Sequence, residues 1–132
     1  VTVGLLAVPA TPAYAAAVAD PERHSVTPTG WGYRFTSTRT SINDWAQPRD
    51  MRIIDVEVVS PTTFTVVMVR NTGEFQRGVT TAGSWVVNET LNSLMTKLET
   101  RRLLDIESYP VDGQTRYAAV LVDNGPAVFH NY

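Results

Sequence analysis

The sequence predicts an α+β fold of tandem repeats of about 50 residues, each with a short aromatic strand, a helix and an antiparallel β-hairpin. Two blocks carry this prediction, Arg52–Asn71 (RIIDVEVVSPTTFTVVMVRN) and Arg102–Asn124 (RLLDIESYPVDGQTRYAAVLVDN). Their first six residues correspond position by position at an offset of 50, and a fixed period of this size is typical of repeat proteins. Such repeats form an open array or a propeller-like ring, and the sequence leaves both arrangements open.

Each block has the pattern of a β-hairpin. In the second block, the β-rich run Leu103–Tyr109 precedes Asp112-Gly113, a strong turn signal, and the return strand Tyr117–Val122. In the first block, Met51–Val59 should pair with Phe64–Asn71 in the same way. Both return strands carry apolar residues on both of their faces. This pattern is typical of a central strand that is covered on each side.

Charged and apolar residues alternate in the first strand of each hairpin. The apolar set should face the core and the carboxylates should face water; the apolar set is Ile54, Val56, Val58, Leu104 and Ile106, and the carboxylates are Asp55, Glu57, Asp105 and Glu107. Neighbouring strands would bring the carboxylates onto one face, where such pairs perform acid–base chemistry or bind Ca²⁺. The competing interpretation is a solvated face paired with Arg52, Arg102 and Arg116.

An aromatic strand should precede each hairpin, at Trp31–Phe35 and at Trp85–Val87. A helix should follow each of these strands. In the second copy the helical spacing is clear, at Leu91, Leu94, Met95 and Leu98. This stripe predicts a helix that packs on the sheet, with Asn88 as its N-cap and Arg101-Arg102 at its C-terminal end.

The first copy shows the helical spacing only over a short stretch, at Ile42, Trp45 and Ala46. Pro48 follows and should end the helix, because proline cannot continue the backbone hydrogen bonds. We therefore expect a degenerate first helix, as in many terminal repeats.

The first 19 residues have the features of the second half of a secretory signal peptide. Val3–Val8 is a short apolar run and Ala13-Tyr14-Ala15 is an A-x-A cleavage site, but the basic segment that normally comes first is missing. The alternative is an apolar N-terminal strand. Cleavage after Ala15 or Ala17 would leave a leader over residues 20–30 that we expect to be disordered.

The remaining sequence divides into two copies and the start of a third. The first copy should cover residues 31–83 and the second residues 84–127. Residues 128–132 then look like the aromatic strand of a third, truncated repeat. We therefore expect the chain to be a fragment of a longer array.

The composition excludes several functional classes. The formal net charge is −2 and ten of the 11 basic residues are arginine, which argues against a nucleic-acid surface. No apolar run reaches the length of about 18 residues that a membrane span requires. There is no cysteine, so a disulfide framework, a cysteine-ligated metal and a cysteine nucleophile are all excluded.

The familiar hydrolase motifs are missing. A serine hydrolase of the β-lactamase type needs S-x-x-K, but the only lysine is Lys97 and Leu94 lies three positions before it. G-x-S-x-G is also absent. His24 and His130 are isolated, so no zinc site and no cofactor are predicted.

Five side chains are candidates for binding. Trp31, Trp85 and Tyr109 would stack on sugars or peptides at the junctions between repeats, or would pack the repeats against each other. Arg70 and Arg116 would hold a carboxylate of an acidic partner, or would form cross-strand ion pairs.

Over Trp31–Tyr132 the chain resembles the bacterial tandem repeat domain, and Arg102–Asn124 carries most of the resemblance. The first copy lacks the GQxRYAA core and has Ser60-Pro61-Thr62-Thr63 in its place. Members of that family carry such copies in series in secreted proteins, including the N-terminal regions of polyglycine hydrolases and related serine hydrolases. The resemblance implies an extracellular repeat module, with β-lactamase-like catalysis in a separate C-terminal domain.

These observations predict a secreted, non-catalytic repeat module that binds or positions a partner. The expected partner is a protein or a cell-wall or other extracellular polymer, and the parent chain should contain further repeats or a C-terminal hydrolase domain. The alternative is a small stand-alone hydrolase that uses the carboxylates of Asp55, Glu57, Asp105 and Glu107.

Overall fold

A computed structural model describes residues 30–124, apart from the side chain of Glu74. This part of the chain has a mixed structure of two three-stranded antiparallel sheets and two short α-helices. The predicted signal peptide and leader, the start of a third repeat, His24 and His130 lie outside the described residues.

The elements follow one another in the same order in both halves. The first sheet contains β1 (Trp31–Ser37), β2 (Met51–Ser60) and β3 (Thr63–Arg70), with helix α1 (Arg39–Ala46) between β1 and β2. The second sheet contains β4 (Trp85–Glu89), β5 (Arg101–Val111) and β6 (Gln114–Asp123), with helix α2 (Leu91–Lys97) between β4 and β5. Single 3₁₀ turns occupy Gln47–Arg49, Gly73–Phe75 and Ala82–Ser84.

The strand order is β1-β3-β2 in the first sheet and β4-β6-β5 in the second. The return strands β3 and β6 are therefore central, as their apolar sequences predicted. Both predicted hairpins are confirmed, because β2 pairs with β3 and β5 pairs with β6. Both aromatic segments are strands and pair with the central strand of their sheet.

Both hairpins have a β-bulge just before an aspartate, Asp55 in β2 and Asp105 in β5. Asp55 lies opposite Val67, and Asp105 lies opposite Val120. The strand pairing before and after the bulge has the same register in the two hairpins, since Ile53 pairs with Met68 and Leu103 pairs with Leu121. A bulge adds one residue to a strand and re-aims the side chains next to it.

The second hairpin turns at Asp112 and Gly113, which both have positive φ values, 50° and 77°. Such angles at the two central residues are those of a type I′ turn, whose twist matches the twist of the two strands. Asp and Gly adopt them readily, so the dipeptide fixes where β5 ends and β6 begins.

The prediction of a degenerate first helix is wrong, because α1 has eight residues and α2 has seven. The Thr38 hydroxyl caps α1 by accepting a hydrogen bond from the backbone N–H of Ser41 at 3.2 Å. Pro48 follows in the first turn of a 3₁₀ segment, where the missing N–H costs nothing. The α-helix ends at Ala46, just before the proline as predicted, and a single 3₁₀ turn over Gln47–Arg49 follows it.

The predicted ends of the second helix are also wrong. Thr90 is the N-cap of α2, and its hydroxyl accepts from the Ser93 N–H at 3.1 Å. Asn88 lies before it with a φ of 55°, which is a left-handed conformation. The helix ends at Lys97, and Arg101-Arg102 already belong to β5.

The main core lies between the two sheets. Helix α1 and the adjoining face of the first sheet meet one face of the second sheet, and the buried side chains include Ile42, Val56, Phe64, Trp85, Tyr109 and Val120. A smaller core lies on the other face of the second sheet, where α2 packs through Leu94 on Val86, Ala119 and Leu121. The second sheet is therefore covered on one face by the first sheet together with α1 and on the other face by α2.

Only half of the predicted helix stripe is buried. Leu94 is fully buried and Leu98 is partly buried against the sheet, as predicted. Leu91 and Met95 are exposed, because they lie on the side of α2 that faces away from the second sheet.

The predicted faces of β5 are reversed. Leu104 and Ile106 are exposed, while Asp105 and Glu107 are half-buried. The cause is the register, which places the two carboxylates opposite Val120 and Ala118, on the face that the first sheet covers. In β2 the prediction fits better, since Val56 is buried and Asp55 and Glu57 are exposed.

Candidate functional site

The two bulge aspartates come together where the edge strands β2 and β5 meet. The Asp105 Oδ2 accepts a hydrogen bond from the backbone N–H of Val56 at 2.9 Å, so this carboxylate links the second sheet to the first. The Asp55 carboxyl lies close enough to Asp105 for the two groups to act on each other electrostatically. Two of the four predicted carboxylates are thus brought together across the junction of the sheets.

The environment of this pair favours a proton on Asp55. Partial burial, the charge of Asp105, a hydrogen bond shared with the Asp105 carboxyl and the charge of Glu57 all raise the pKa of Asp55. Two carboxyls that lie this close resist ionising together, and one of them retains a proton to higher pH. Such a pair is able to donate a proton or to accept one.

The pair is not accompanied by further metal ligands. Across residues 30–124, no group of three or more histidines, aspartates and glutamates is placed to hold a metal ion. The same part of the chain contains no helix that is long and apolar enough to cross a membrane.

Trp85 is completely enclosed between the two sheets. Its indole Nε1 donates to the Oδ1 of Asn43 on α1 at 2.8 Å, and its ring meets Phe64 edge to face at 5.7 Å between centroids. The Arg39 guanidinium lies over the ring, 5.6 Å from its centroid. No face of the ring is open to a sugar or a peptide, and this position fits the packing interpretation.

Tyr109 lies in the same interface. Its hydroxyl oxygen accepts a hydrogen bond from the backbone N–H of Asn88 at 2.6 Å, and its ring contacts Phe64 edge to face. Burial raises the pKa of Tyr109, although the hydrogen bond from Asn88 and the charge of Arg116 act in the opposite direction. The side chain holds β4 to β5 and offers little surface to a ligand.

The two candidate arginines lie apart from each other. Arg70 is exposed at the end of β3, where its backbone N–H donates to the carbonyl of Gly30. Arg116 lies opposite Tyr109 in the second hairpin, and its Nε is buried without a hydrogen-bond partner among the described residues. The five predicted binding residues therefore do not form one site.

The most exposed aromatic surface lies on β1, where Trp31, Tyr33 and Phe35 are 57%, 64% and 68% exposed. We call these three residues the aromatic strip. The alternation with Gly32 and Arg34 predicted the strand, but Tyr33 and Phe35 were not recognised as candidates. Their spacing of two was the available signal, since it places all three rings on one face.

A second apolar surface lies on the opposite side of the molecule. We call it the helix-side patch; it consists of Leu91 and Met95 on α2 and Leu104 and Ile106 on β5. Sequence reasoning assigned all four residues to the core. Apolar surfaces that are this exposed often mark sites of protein association.

The strand registers show which residues of the two sheets correspond. Tyr33 lies opposite Val67 in the first sheet, and Trp85 lies opposite Val120 in the second. Val67 and Val120 are also the partners of the two bulge aspartates. Tyr33, and not Trp31, therefore holds the position that corresponds to Trp85.

A polar cleft of about 480 Å³ lies beside the loop that joins the two halves, and its lining includes Asn71 and Arg77. The Asn71 side chain organises this loop, because its Oδ1 accepts from the Arg77 N–H and its Nδ2 donates to the carbonyls of Arg77 and Val79. Arg52 is buried close by and donates to the carbonyl of Phe75. Burial and the charge of Arg77 lower the pKa of Arg52 to about 10.

Comparison of the sequence with protein-family models, with curated proteins and with solved structures gave no match. The resemblance to the bacterial tandem repeat domain therefore stays a prediction, and function has to be argued from the geometry.

Proposed function

We propose that this chain is a secreted, non-catalytic repeat module that binds or positions a partner. In this proposal it is the accessory N-terminal region of a serine hydrolase of the polyglycine-hydrolase-like, β-lactamase-related kind, and its two halves are tandem repeats. The partner is a protein or an extracellular polymer such as the cell wall. The observation that carries the proposal is the common register of the two hairpins, including the bulge before Asp55 and before Asp105.

The helices support the same correspondence. Both α1 and α2 begin after a threonine whose hydroxyl accepts from the N–H three residues later, Thr38 in α1 and Thr90 in α2. Two residues before each cap, Thr36 and Asn88 both have positive φ values. Unrelated segments have no reason to place an unusual backbone angle at the same distance from a cap.

The contact between the halves supports an array or a ring. Trp85 of the second sheet donates a hydrogen bond to Asn43 on α1. Asp105 of the second sheet accepts one from the Val56 N–H of the first sheet. In repeat proteins each unit buries its apolar face only against a neighbour, and the interface between units supplies much of the stability. This contact is an interface of that kind.

The non-catalytic part of the proposal is tested by assay. The purified chain is incubated with a serine-reactive probe and with peptide and glycan substrates. We expect no labelling and no turnover, because Lys97 is preceded by Leu94 and not by the serine that S-x-x-K chemistry needs. Stoichiometric labelling of a single serine would contradict the proposal.

A small hydrolase that uses Asp55, Glu57, Asp105 and Glu107 is the second candidate. The raised pKa of Asp55 beside Asp105 favours it, since acid catalysis needs a protonated carboxyl. The hydrogen bond from Val56 to Asp105 favours a structural role instead. Turnover that is lost in both Asp55→Asn and Asp105→Asn, while the unfolding transition is kept, would overturn our choice.

The genomic sequence on both sides of this chain gives an independent test. We expect further copies of the pattern, or a hydrolase domain with S-x-x-K, in the same reading frame. An open reading frame with neither would contradict the assignment as an accessory region.

A further inference from the structure

We propose that the aromatic strip and the helix-side patch are the two sides of one interface, through which a second copy of this chain docks head to tail. This inference rests on the proposed function, because it treats the two halves as repeats of one unit. It goes further by naming the partner and the residues that meet it.

The molecule contains this interface once already. Inside the chain, the face of the first sheet on which α1 packs, the helix side, covers one face of the second sheet. The covered face carries Trp85 and Asp105, and we call it the strand face. Its contacts are the hydrogen bond from Trp85 to Asn43, the cation over the ring at Arg39, and the hydrogen bond from the Val56 N–H to Asp105. A second copy would repeat this arrangement one step further.

The first sheet carries an exposed counterpart of the face that the second sheet buries in this interface. Tyr33 holds the position of Trp85, but Tyr33 is 64% exposed whereas Trp85 is 0% exposed. Asp55 likewise holds the position of Asp105. The first sheet thus presents the strand face that the second sheet keeps buried.

The second sheet carries an exposed counterpart of the helix side that covers Trp85. Counted from the caps Thr38 and Thr90, Leu91 corresponds to Arg39 and Met95 corresponds to Asn43. Both residues of α2 are exposed.

The edge strand gives the same result. Ile106 and Val56 each follow a bulge aspartate, but Ile106 is 42% exposed and Val56 is 1% exposed. The second sheet therefore presents a helix side that resembles the one covering Trp85, with apolar residues in place of Asn43 and Arg39.

The chemistry of the two free surfaces is matched. Trp85 needs an acceptor for its indole N–H and finds it in Asn43, whereas the Tyr33 ring would meet Leu91 and Met95. Thioether sulfur makes favourable contacts with aromatic rings, and the apolar areas of both sides would leave water together.

The polar seam would be reproduced as well. In the docked pair, the Asp55 carboxyl of one copy would accept from the Ile106 N–H of the other, as Asp105 accepts from Val56 within the chain. In the single chain the Ile106 N–H donates to the Oδ1 of Asp105 at 2.9 Å, so docking would exchange this hydrogen bond for one to Asp55 of the second copy.

Because different surfaces meet, the association is heterologous. A docked pair still has a free strip at one end and a free patch at the other, so the copies assemble into open chains or, when the rotation closes, into rings. A symmetric pair that buries two aromatic strips against each other is not expected.

The experiment is sedimentation velocity of the full chain over a wide concentration range, with one variant for each surface. Tyr33→Lys disables the aromatic strip and Met95→Lys disables the helix-side patch, and both residues are exposed, so the fold should be kept. We expect the wild-type chain to associate with rising concentration, and each variant alone to associate at least about tenfold more weakly, as for hot-spot residues at interfaces.

Mixing the two variants tests the geometry. The mixture keeps one intact strip and one intact patch on different molecules, so it should form a 1:1 dimer and nothing larger. Thermal melts check that both variants are folded. If either variant is unfolded, Phe35→Ser and Leu91→Ser replace it.

Three results would overturn the proposal. The first is a wild-type chain that stays monomeric at millimolar concentration, whether the strip is then free or covered by the chain's own first 29 residues. The second is Met95→Lys that still dimerises alone, which would indicate strip-to-strip pairing. The third is a mixture that does not dimerise. None of these concerns catalysis, so the probe and substrate assays decide the proposed function separately.

Discussion

Tyr33 and Trp85 hold the same place in their sheets, but their surroundings differ completely. Each lies opposite a valine of the central strand, on the face that carries the bulge aspartate. Trp85 is enclosed because α1 and the first sheet lie over it, whereas nothing among the described residues covers Tyr33. The burial of this strand face is thus set by what packs over it and not by the strand itself.

The two helices differ in a parallel way. Helix α1 has both of its sides occupied, since Ile42 and Ala46 pack in the core and Asn43 bonds to Trp85. Helix α2 packs through Leu94 on its own sheet and leaves Leu91 and Met95 exposed. Corresponding positions in the two halves, one covered and one uncovered, therefore provide matched pairs of sites for mutation.

The largest contrast is expected between Trp85→Ala and Tyr33→Ala. Removing the enclosed indole should lower the free energy of unfolding by about 3–5 kcal/mol, because it empties a large core volume and leaves Asn43 without its donor. Tyr33→Ala should change it by less than about 0.5 kcal/mol at low protein concentration. Urea melts measure both, and equal losses would show that the comparison is wrong.

Leu94→Ala should give the next largest loss, about 2–5 kcal/mol, since Leu94 is the buried residue by which α2 packs on the second sheet. Met95→Ala is the matched control one position along the same helix, and it should be nearly neutral. A change below about 0.5 kcal/mol for Leu94→Ala would mean that α2 is not packed as described.

The hairpins were predicted correctly because their determinants are local. Asp112-Gly113 fixes a type I′ turn, and the turn fixes the register of β5 on β6. The apolar return strands likewise required a central position in any sheet. Information of this kind lies within about ten residues of the feature that it determines.

The predictions that were wrong depended on distant residues. Alternation alone placed Ile106 inside and Asp105 outside, but the first sheet covers the other face of β5 and the Val56 N–H engages the carboxylate. The sequence likewise left Trp85 open between binding and packing, because its partners, Asn43 and Arg39, lie more than 40 residues earlier. The sequence predicted that the carboxylates would come together, but the packing of one hairpin on the other decides that Asp55 and Asp105 form the pair.

The N-caps of the two helices should contribute equally to the free energy of unfolding, whatever packs around each helix. Thr38→Ala and Thr90→Ala each remove one side-chain acceptor, and each should cost about 1 kcal/mol. Replacement by Ser or Asp should restore most of the loss in both helices. If only one variant is destabilised, the two helices do not begin in the same way in solution.

The smallest effect, and the one with a distinctive sign, is expected for Asp55→Asn. Although Asp55 is exposed, the loss of part of its hydration and the charge of Asp105 raise its pKa in the folded chain above the usual value of 3.8. Between that value and the raised pKa, the folded state holds a proton that the unfolded state has released, so stability falls as pH rises through this window. Above the raised pKa the ionised Asp55 destabilises the fold.

Asparagine cannot ionise, so Asp55→Asn should be more stable than the wild type at pH 7, and this gain should vanish below about pH 3.8. Asp105→Asn also removes the repulsion, but its single oxygen replaces two that accept from the Val56 N–H and the Ile106 N–H, so its gain should be smaller. Because one substitution already relieves the repulsion, the double variant should add little to either single one. Urea melts of the three variants at pH 3.5 and pH 7 decide the matter: fully additive gains, or a gain that grows towards low pH, would show that the two carboxylates do not act on each other across the junction of the sheets.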